Sequence, residues 1–227
     1  MRPVSPEKVR VAVFSMEALK SPALDGFNPG FYQTYWEVVR EEVVSLVHEV
    51  FRTGQLPEGL NDTNVVLIPK VNRPEVVSEF RPIVLCSVLY KVITKVIINR
   101  MKGLLSGIIS DSQSAFLKGR LITDNILMSG EVLHHIKSKR QSRQGDMALK
   151  IDMSKAYDRV EWNYLETVML RLGFAREWVQ LIMTCVRTAR MWVTAEGPIE
   201  VERGIRQGDP LSLYLFCLLY TSDAADE

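Results

Sequence analysis

The segment LKIDMSKAYDRVEW, at residues 149–162, constrains the fold more than any other part of the sequence. From Met147 to Asp152 apolar and polar residues alternate, which predicts a β-strand that ends at Asp152. A helix is expected from Trp162 onward. A carboxylate at the end of a strand is held beside a loop with room for a substrate, so it can bind a divalent cation. Aspartate is also common in turns, and that interpretation stays open for the segment taken alone.

The segment GIRQGDPLS, at residues 204–212, combines two glycines with polar side chains. The glycines allow the backbone to approach a planar or charged partner closely. Arg206 is then a candidate contact for a phosphate group, and Gln207 can form a hydrogen bond with a nucleotide or a template strand. Asp209 followed by Pro210 predicts the start of a helix. A capped loop between a hairpin and a helix accounts for the same residues without any ligand.

The segment VVLIPKVNRPEVVSEFRPIVLC, at residues 65–86, has two β-branched runs on either side of a turn. This pattern predicts a β-hairpin. Lys70, Arg73 and Arg81 lie near the turn, where cations can clamp a triphosphate. An exposed hairpin with ordinary surface charges is the alternative interpretation.

Helical periodicity predicts most of the remaining structure. One helix is expected from Trp36 to Gly54, and another begins after the N-cap residue Ser87 and ends at Gly103 or Gly107. Further elements are expected as helices at residues 123–140, 162–172, 176–190 and 211–220 and as a hairpin at residues 191–203. The first 20 residues show no sustained period, so no defined structure is predicted there.

The distribution of charge says more than its total. The chain has 227 residues and a net charge of +1, and its 47% of hydrophobic residues can form the core of one large or two small domains. Residues 91–143 carry 10 basic and 3 acidic side chains, whereas residues 144–227 carry 9 and 13. This pattern fits a phosphate-binding surface followed by a metal-binding one. A solvated helix face beside an acidic surface explains it equally simply.

The cysteines indicate a reducing compartment. Cys86, Cys185 and Cys217 are odd in number, far apart and in apolar surroundings, which predicts buried free thiols and neither a disulfide framework nor a zinc site. The N-terminus lacks the pattern of a signal peptide, and no apolar run reaches membrane-spanning length. A soluble intracellular protein without membrane contact is therefore expected, in the nucleus or the cytoplasm.

Read together, five strings in this order resemble the reverse-transcriptase domain of non-LTR (LINE-type) retrotransposons, especially those of plants. The resemblance covers residues 21–219. The strings are SPALDGFNPGFYQTYW, LIPKVNRPEVVSEFRPIVLCSVLYKVITKVIINRMK, ISDSQSAFLKGRLITDNILMSGEVLHHI, ALKIDMSKAYDRVEW and GIRQGDPLSLYLF. One such string is weak evidence, but five in the same order are specific.

The resemblance implies an α+β fold. Residues 21–143 would form the fingers and residues 144–220 part of an RRM-like palm, after a poorly defined segment at residues 1–20. The resemblance also implies that a thumb is absent from this chain and that residues 221–227 form a tail outside the family pattern. The family's palm continues to an aromatic-Ala-Asp-Asp string that supplies further metal ligands, and this chain ends before such a string. The resemblance therefore implies that the chain alone has no useful polymerase activity.

The family pattern also implies roles for single residues. Asp152 occupies the place of the first metal-binding aspartate and Tyr157 that of the aromatic residue that screens the sugar 2′ position. Gln207 corresponds to the glutamine near the incoming nucleotide and template. Gly208 corresponds to the glycine that lets the backbone approach.

Cationic residues have implied roles as well. Arg81, and less closely Lys70, resemble the residues that meet the triphosphate. Lys118 and Arg120 lie in a stretch for which contact with the template backbone is expected. Arg206 is expected to contact nucleic acid through phosphate.

The implied reaction is RNA-directed DNA synthesis. It uses an RNA template, a DNA primer and deoxynucleoside triphosphates, with two Mg²⁺ ions for which Mn²⁺ can substitute. Three other interpretations fit the sequence: a non-catalytic nucleic-acid-binding remnant that uses residues 91–143, a reverse transcriptase of the group II intron maturase type, and the product of a pseudogene. Salt-dependent binding without nucleotide incorporation would distinguish the first of these.

Overall fold

The fold is described by a computed structural model that covers residues 3–109, 113, 119–139, 146–149, 151–193 and 198–223. The helices are α1 (Pro6–Phe14), α2 (Pro29–Thr34), α3 (Trp36–Thr53), α4 (Val88–Ile108), α5 (Ile122–Ser138), α6 (Trp162–Arg171), α7 (Arg176–Arg187) and α8 (Pro210–Asp223). The strands are β1 (Asp62–Pro69), β2 (Phe80–Cys86), β3 (Arg190–Trp192) and β4 (Pro198–Glu200). Short 3₁₀ turns lie at Val77–Glu79 and Ala156–Arg159.

The four strands form one mixed sheet in the order β2-β1-β3-β4. β1 and β2 are an antiparallel hairpin in which Val65 lies opposite Val84. β1 pairs with β3 in parallel, and β3 pairs with β4 antiparallel. The parallel pair is joined by side chains as well, because Arg190 donates to both oxygens of Asp62 at 2.8 and 3.0 Å. This sheet joins the first half of the chain to residues more than a hundred positions later.

Helix α4 is the centre of the hydrophobic core. Ser87 begins the helix by accepting a hydrogen bond from the backbone N–H of Tyr90 at 3.2 Å. Ile93, Ile97 and Met101 recur at helical spacing and are all fully buried. Helices α1, α3 and α8 pack around α4, and α6 packs against α7 and α8. No helix among the described residues is both long and apolar enough to span a bilayer.

The predicted α+β class is confirmed, as are most of the predicted elements. The hairpin, the helix from Trp36 to Gly54 and the N-cap at Ser87 lie where the sequence predicts them. Helix α4, however, continues past both Gly103 and Gly107 to Ile108. A glycine inside a helix costs only about 1 kcal/mol, and buried Leu105 keeps the apolar face in contact with the core.

The N-terminal segment is more ordered than the sequence analysis predicts. Residues 6–14 form α1, so the expectation of no defined structure there is wrong for this stretch. Val9, Ala12 and Val13 are fully buried, and Met16, just after the helix, is buried as well. Ser5 followed by Pro6 was the signal that the sequence analysis missed, because proline is favoured in the first turn of a helix.

The described residues of the segment predicted as a strand, at positions 147–149, 151 and 152, do not belong to a strand. Residues 146–149 and 151–153 have no regular secondary structure, and Leu149 and Ile151 are 73% and 79% exposed. Alternation makes a strand only where a neighbouring strand supplies hydrogen bonds, and no strand of the described sheet pairs with this segment. Asp152 is therefore not held at the end of a strand here.

Replacement of Ile97 by alanine should destabilise the fold strongly. Ile97 is 0% exposed, so the substitution leaves a cavity and should lower the free energy of unfolding by about 2–5 kcal/mol. Leu104→Ala is the matched control in the same helix, because Leu104 is 56% exposed and should change stability by about 0.5 kcal/mol or less. Urea unfolding followed by circular dichroism measures both. Equal losses for the two variants would contradict this arrangement of α4.

Candidate nucleotide-binding site

The loop at residues 204–209 lies between two parts of the chain that are distant in sequence. The backbone N–H of Ile205 donates to the carbonyl of Tyr157 at 2.9 Å, and that of Gly204 donates to Val160 at 2.8 Å. At the other end, the N–H of Val84 in β2 donates to the carbonyl of Gln207 at 3.1 Å. The loop thus joins the turn that carries Tyr157 to the outer edge of β2.

Both glycines of this loop are required by close backbone contacts. Gly208 has a φ of +117°, and a Cβ added there would lie 2.7 Å from the carbonyl oxygen of Val84. Gly204 has a φ of +88°, and its Cβ would lie 3.1 Å from the Cα and carbonyl oxygen of Asp158. Side chains fit neither the conformation nor the space, so glycine fixes how closely the loop approaches β2 and the Tyr157 turn.

The residues on either side of the exposed Gln207–Gly208 pair are buried and ionic. The side chains of Arg206 and Asp209 are both 4% exposed and form an ion pair at 3.0 Å. The hydroxyl of Tyr90 donates to the same carboxylate oxygen, Oδ2, at 2.7 Å. The other oxygen, Oδ1, accepts from the backbone N–H of Leu211 at 2.9 Å and so caps α8.

Protein groups surround the guanidinium of Arg206. It donates to the hydroxyl of Thr63 at 2.9 Å and lies 4.4 Å from the centre of the Tyr90 ring. Further bonds reach the backbone carbonyls of Asn61 and Cys185, at 3.4 and 3.3 Å. Burial opposes the charge, but the acidic groups around it, Tyr90 and Asp209 first among them, outweigh burial and raise the pKa of Arg206 above its ordinary value.

This burial does not agree with the predicted contact between Arg206 and phosphate. The guanidinium is paired inside the protein, and a phosphate group could reach it only if the side chain left the core. The sequence shows that the residue is cationic but not which side of the loop it faces. We therefore assign Arg206 to the support of the loop.

Tyr157 is fixed from two sides. Its half-buried ring stacks on Phe216 of α8, with centroids 4.9 Å apart and an interplanar angle of 16°. Its carbonyl accepts the hydrogen bond from Ile205, and the indole of Trp162 donates to the neighbouring carbonyl of Gly204 at 2.7 Å. Burial raises the pKa of Tyr157, so its hydroxyl stays protonated at neutral pH. The structure therefore brings the Tyr157 turn and the Gln207 loop together.

The two aspartates of the segment at residues 149–162 are exposed, unlike Asp209. Asp152 and Asp158 both face solvent. No group of three or more His, Cys, Asp or Glu side chains that could hold a metal ion occurs among the described residues. Carboxylate oxygens suit Mg²⁺, but the described residues do not bring enough of them together to form a metal site.

The hairpin positions the two cations predicted to meet a triphosphate. Arg81 lies opposite Ile68 in the β1–β2 register and is exposed, on the strand whose edge also contacts the Gln207 loop. Lys70 lies at the end of the hairpin, and its ammonium donates to the carbonyl of Ser78 at 2.8 Å. Both therefore belong to the element that also contacts the loop.

The remaining predicted contacts with nucleic acid are less well defined. Lys118 lies outside the described residues. Arg120 is half-buried and donates to the carbonyl of Gln113.

Part of the basic charge at residues 91–143 is used inside the protein. The ammonium of Lys95 donates to the hydroxyl and the carbonyl of Ser15, at 2.9 and 3.2 Å. Arg100 donates to the carbonyl of Pro3 at 2.9 Å and lies 4.9 Å from the Phe51 ring. These contacts hold the N-terminal segment and weaken the interpretation of this region as a simple phosphate-binding surface.

Comparison with known proteins shows the family. The family model described as "Reverse transcriptase (RNA-dependent DNA polymerase)" matches residues 68–223. The Transposon TX1 uncharacterized 149 kDa protein of Xenopus laevis is 30% identical over 95% of this chain, and the Pol polyprotein of the type-1 retrotransposable element R2 from Nasonia vitripennis is 29% identical over 95%. The probable RNA-directed DNA polymerase from transposon BS of Drosophila melanogaster is 24% identical over the whole chain.

The chain belongs to the reverse transcriptase family, in the group found in non-LTR retrotransposons. It spans 17%, 20% and 25% of the length of these three relatives. All three come from animals, and nothing in the comparisons supports the expectation of a plant-type element.

Replacement of Gly208 by alanine should destabilise the loop. The added Cβ would collide with the Val84 carbonyl and occupy an unfavourable φ, so we expect a loss of about 2 kcal/mol or more in the free energy of unfolding. Gly103→Ala is the matched control, because that glycine lies inside α4 with open space around it and should stabilise the helix by up to about 1 kcal/mol. Urea unfolding measures the change in the free energy of unfolding for both variants. A change of the same sign in the two would contradict the close approach of Gly208 to the Val84 carbonyl.

The buried thiols near this site should be unreactive in the folded protein. Burial raises the pKa of Cys86 to about 11 and that of Cys185 to about 12. Because the thiolate is the nucleophile and both pKa values lie far above 8, the native protein should react with iodoacetamide at pH 8 much more slowly than the chain unfolded in urea. Mass spectrometry of labelled peptides measures the rates. Rapid native labelling at either cysteine would contradict the packing.

Proposed function

We propose that this chain forms the nucleotide-binding part of an RNA-directed DNA polymerase of a non-LTR retrotransposon. The reaction is the templated addition of deoxynucleotides to a primer 3′-hydroxyl, with RNA as template and DNA as primer. The observation that carries this proposal is the loop at residues 204–209, in which Gln207 is exposed while Arg206 and Asp209 are buried. An exposed amide on a backbone fixed by hydrogen bonds is suited to position a nucleotide.

Tyr157 would screen the sugar 2′ position of that nucleotide. Its ring is held by Phe216, and its backbone is bonded to Ile205 of the Gln207 loop. A ring fixed in this way can exclude a 2′-hydroxyl sterically, since it cannot turn aside without disturbing α8. The contacts of Tyr157 are what supports its proposed role at the sugar 2′ position.

Lys70 and Arg81 would bind the triphosphate. Both are exposed on the β1–β2 hairpin, and Arg81 is three residues from the Val84 N–H that holds the loop. Lys70 would exchange its bond to the neutral Ser78 carbonyl for a stronger bond to a negatively charged phosphate oxygen. Lys118 and Arg120 would contact the template backbone, and residues 21–143 and 144–220 would correspond to the fingers and the palm.

Asp152 would be one ligand of a divalent cation. Mg²⁺ is the ion expected, two ions in the family pattern, and Mn²⁺ could replace it. The cations would stabilise the charge that develops during phosphoryl transfer. Asp152 is exposed and accepts no hydrogen bond within the described part of the chain, so its carboxylate is available to a metal–nucleotide complex.

Formation of a ternary complex tests the proposal. The purified chain is mixed with Mg²⁺ and an RNA template annealed to a DNA primer that ends in a dideoxynucleotide, and dissociation is followed after addition of a heparin trap. The next complementary deoxynucleotide should lengthen the lifetime by about tenfold, which corresponds to about 1.4 kcal/mol, and a non-complementary one should not. Asp152→Asn and Gln207→Ala should each remove most of this effect.

Asp158→Asn is the matched control, because Asp158 is an equally exposed aspartate in the same segment. It should keep the response to the complementary deoxynucleotide. A complex whose lifetime depends on salt but on no nucleotide would favour the non-catalytic nucleic-acid-binding interpretation instead.

A further inference from the structure

We propose that Tyr90 is a positioning residue for Gln207, acting through the carboxylate of Asp209. Tyr90 is a fully buried residue of α4, outside the loop at residues 204–209. The inference rests on the proposed function for the role of Gln207. The control of the loop by Tyr90 is a separate physical statement that can be tested without a nucleotide.

Three hydrogen-bond donors surround the carboxylate of Asp209. One carboxylate oxygen accepts from Tyr90 at 2.7 Å and from Arg206 at 3.0 Å, and the other accepts from the N–H of Leu211. The carboxylate therefore has a single orientation that satisfies all three donors. Because the Tyr90 ring is fully buried in the core, its hydroxyl is a fixed point against which this orientation is set.

The backbone of the loop links Asp209 to Gln207. Arg206 and Asp209 flank the exposed pair Gln207–Gly208, and each is bound to the protein interior. The carbonyl of Gln207 is held by Val84, and Gly208 allows the close approach. Residues on both sides of Gln207 and its own carbonyl are thus fixed, which leaves only its side chain free to meet a ligand.

Arg206 and Tyr90 hold the Asp209 carboxylate in different ways. Thr63 and the Asn61 and Cys185 carbonyls hold Arg206, so the arginine has other partners besides Asp209. Tyr90 is the neutral donor to Asp209, and its ring also lies against the guanidinium. Replacement of Tyr90 by phenylalanine removes the hydroxyl but keeps the ring, so the ion pair remains while the carboxylate loses one constraint.

Amide hydrogen exchange measured by NMR tests the control of the loop. In Tyr90→Phe the N–H groups of Val84 and Leu211 should exchange about tenfold faster, because they are bonded to Gln207 and Asp209. Ile83 and Leu85 should change less than about twofold, since alternate N–H groups of β2 point towards β1. Tyr35→Phe is the matched control, because Tyr35 is 53% exposed and packs against Phe31 through a ring that phenylalanine keeps.

The lifetime of the ternary complex provides the functional measurement. Tyr90→Phe should reduce the lengthening by the complementary deoxynucleotide about fivefold to tenfold, without changing the affinity for primer–template alone. Gln207→Ala should then cost less in the Tyr90→Phe background than in the wild type, because the two residues act on one interaction.

The outcomes separate this inference from the proposed function. Equal acceleration of exchange throughout β2 and α8, or none at Val84 and Leu211, would overturn the positioning role. Suppose that the wild type responds to nucleotide and that Tyr90→Phe and Gln207→Ala have additive effects on the lifetime of the ternary complex. That result would overturn the link between Tyr90 and Gln207. If the wild type shows no response to nucleotide, the proposed function is wrong, and selective exchange at Val84 and Leu211 would still support control of the loop by Tyr90.

Discussion

The buried ion pair between Arg206 and Asp209 determines how the rest of the site is arranged. Taking two charges out of water is costly, and such a pair is tolerated only when further hydrogen bonds satisfy both groups. Here Thr63, Tyr90 and backbone carbonyls complete the shell of the arginine, and Leu211 completes that of the aspartate. The network therefore requires β1, α4, the end of α7 and the start of α8 to meet at one point.

That requirement explains how a short loop organises segments from the whole chain. The hairpin supplies Val84, and the turn after Asp152 supplies Tyr157, and both bind backbone groups of residues 204–209. Neither contact uses a side chain of the loop. Because the contacts depend on backbone geometry, they depend on the two positive-φ glycines and on the anchored residues between them. The exposed surface of the site follows from packing beneath it.

The sequence predicted most helices and strands, but it did not reveal which way the side chain of Arg206 points. Periodicity located α3, α4 and the β1–β2 hairpin because their burial repeats at the helical or the strand period. Periodicity was wrong in predicting a strand that ends at Asp152, because a strand depends on a partner strand that local alternation does not reveal. Arg206 was recognised as part of a motif but was assigned to phosphate. The direction in which a side chain leaves a loop depends on residues such as Thr63 and Tyr90, which are far away in sequence.

The motif RQGDP illustrates how a sequence signal and a binding surface differ. Arg206 and Asp209 face the interior, and Pro210 begins α8. Gly208 is needed because a side chain there would collide with the carbonyl oxygen of Val84. Only the side chain of Gln207 is exposed without an evident structural role. Four of its five residues can thus be understood from packing, charge burial and helix capping. Under the proposed function, the motif would therefore identify the nucleotide-binding site mainly through residues that hold the side chain of Gln207 in place.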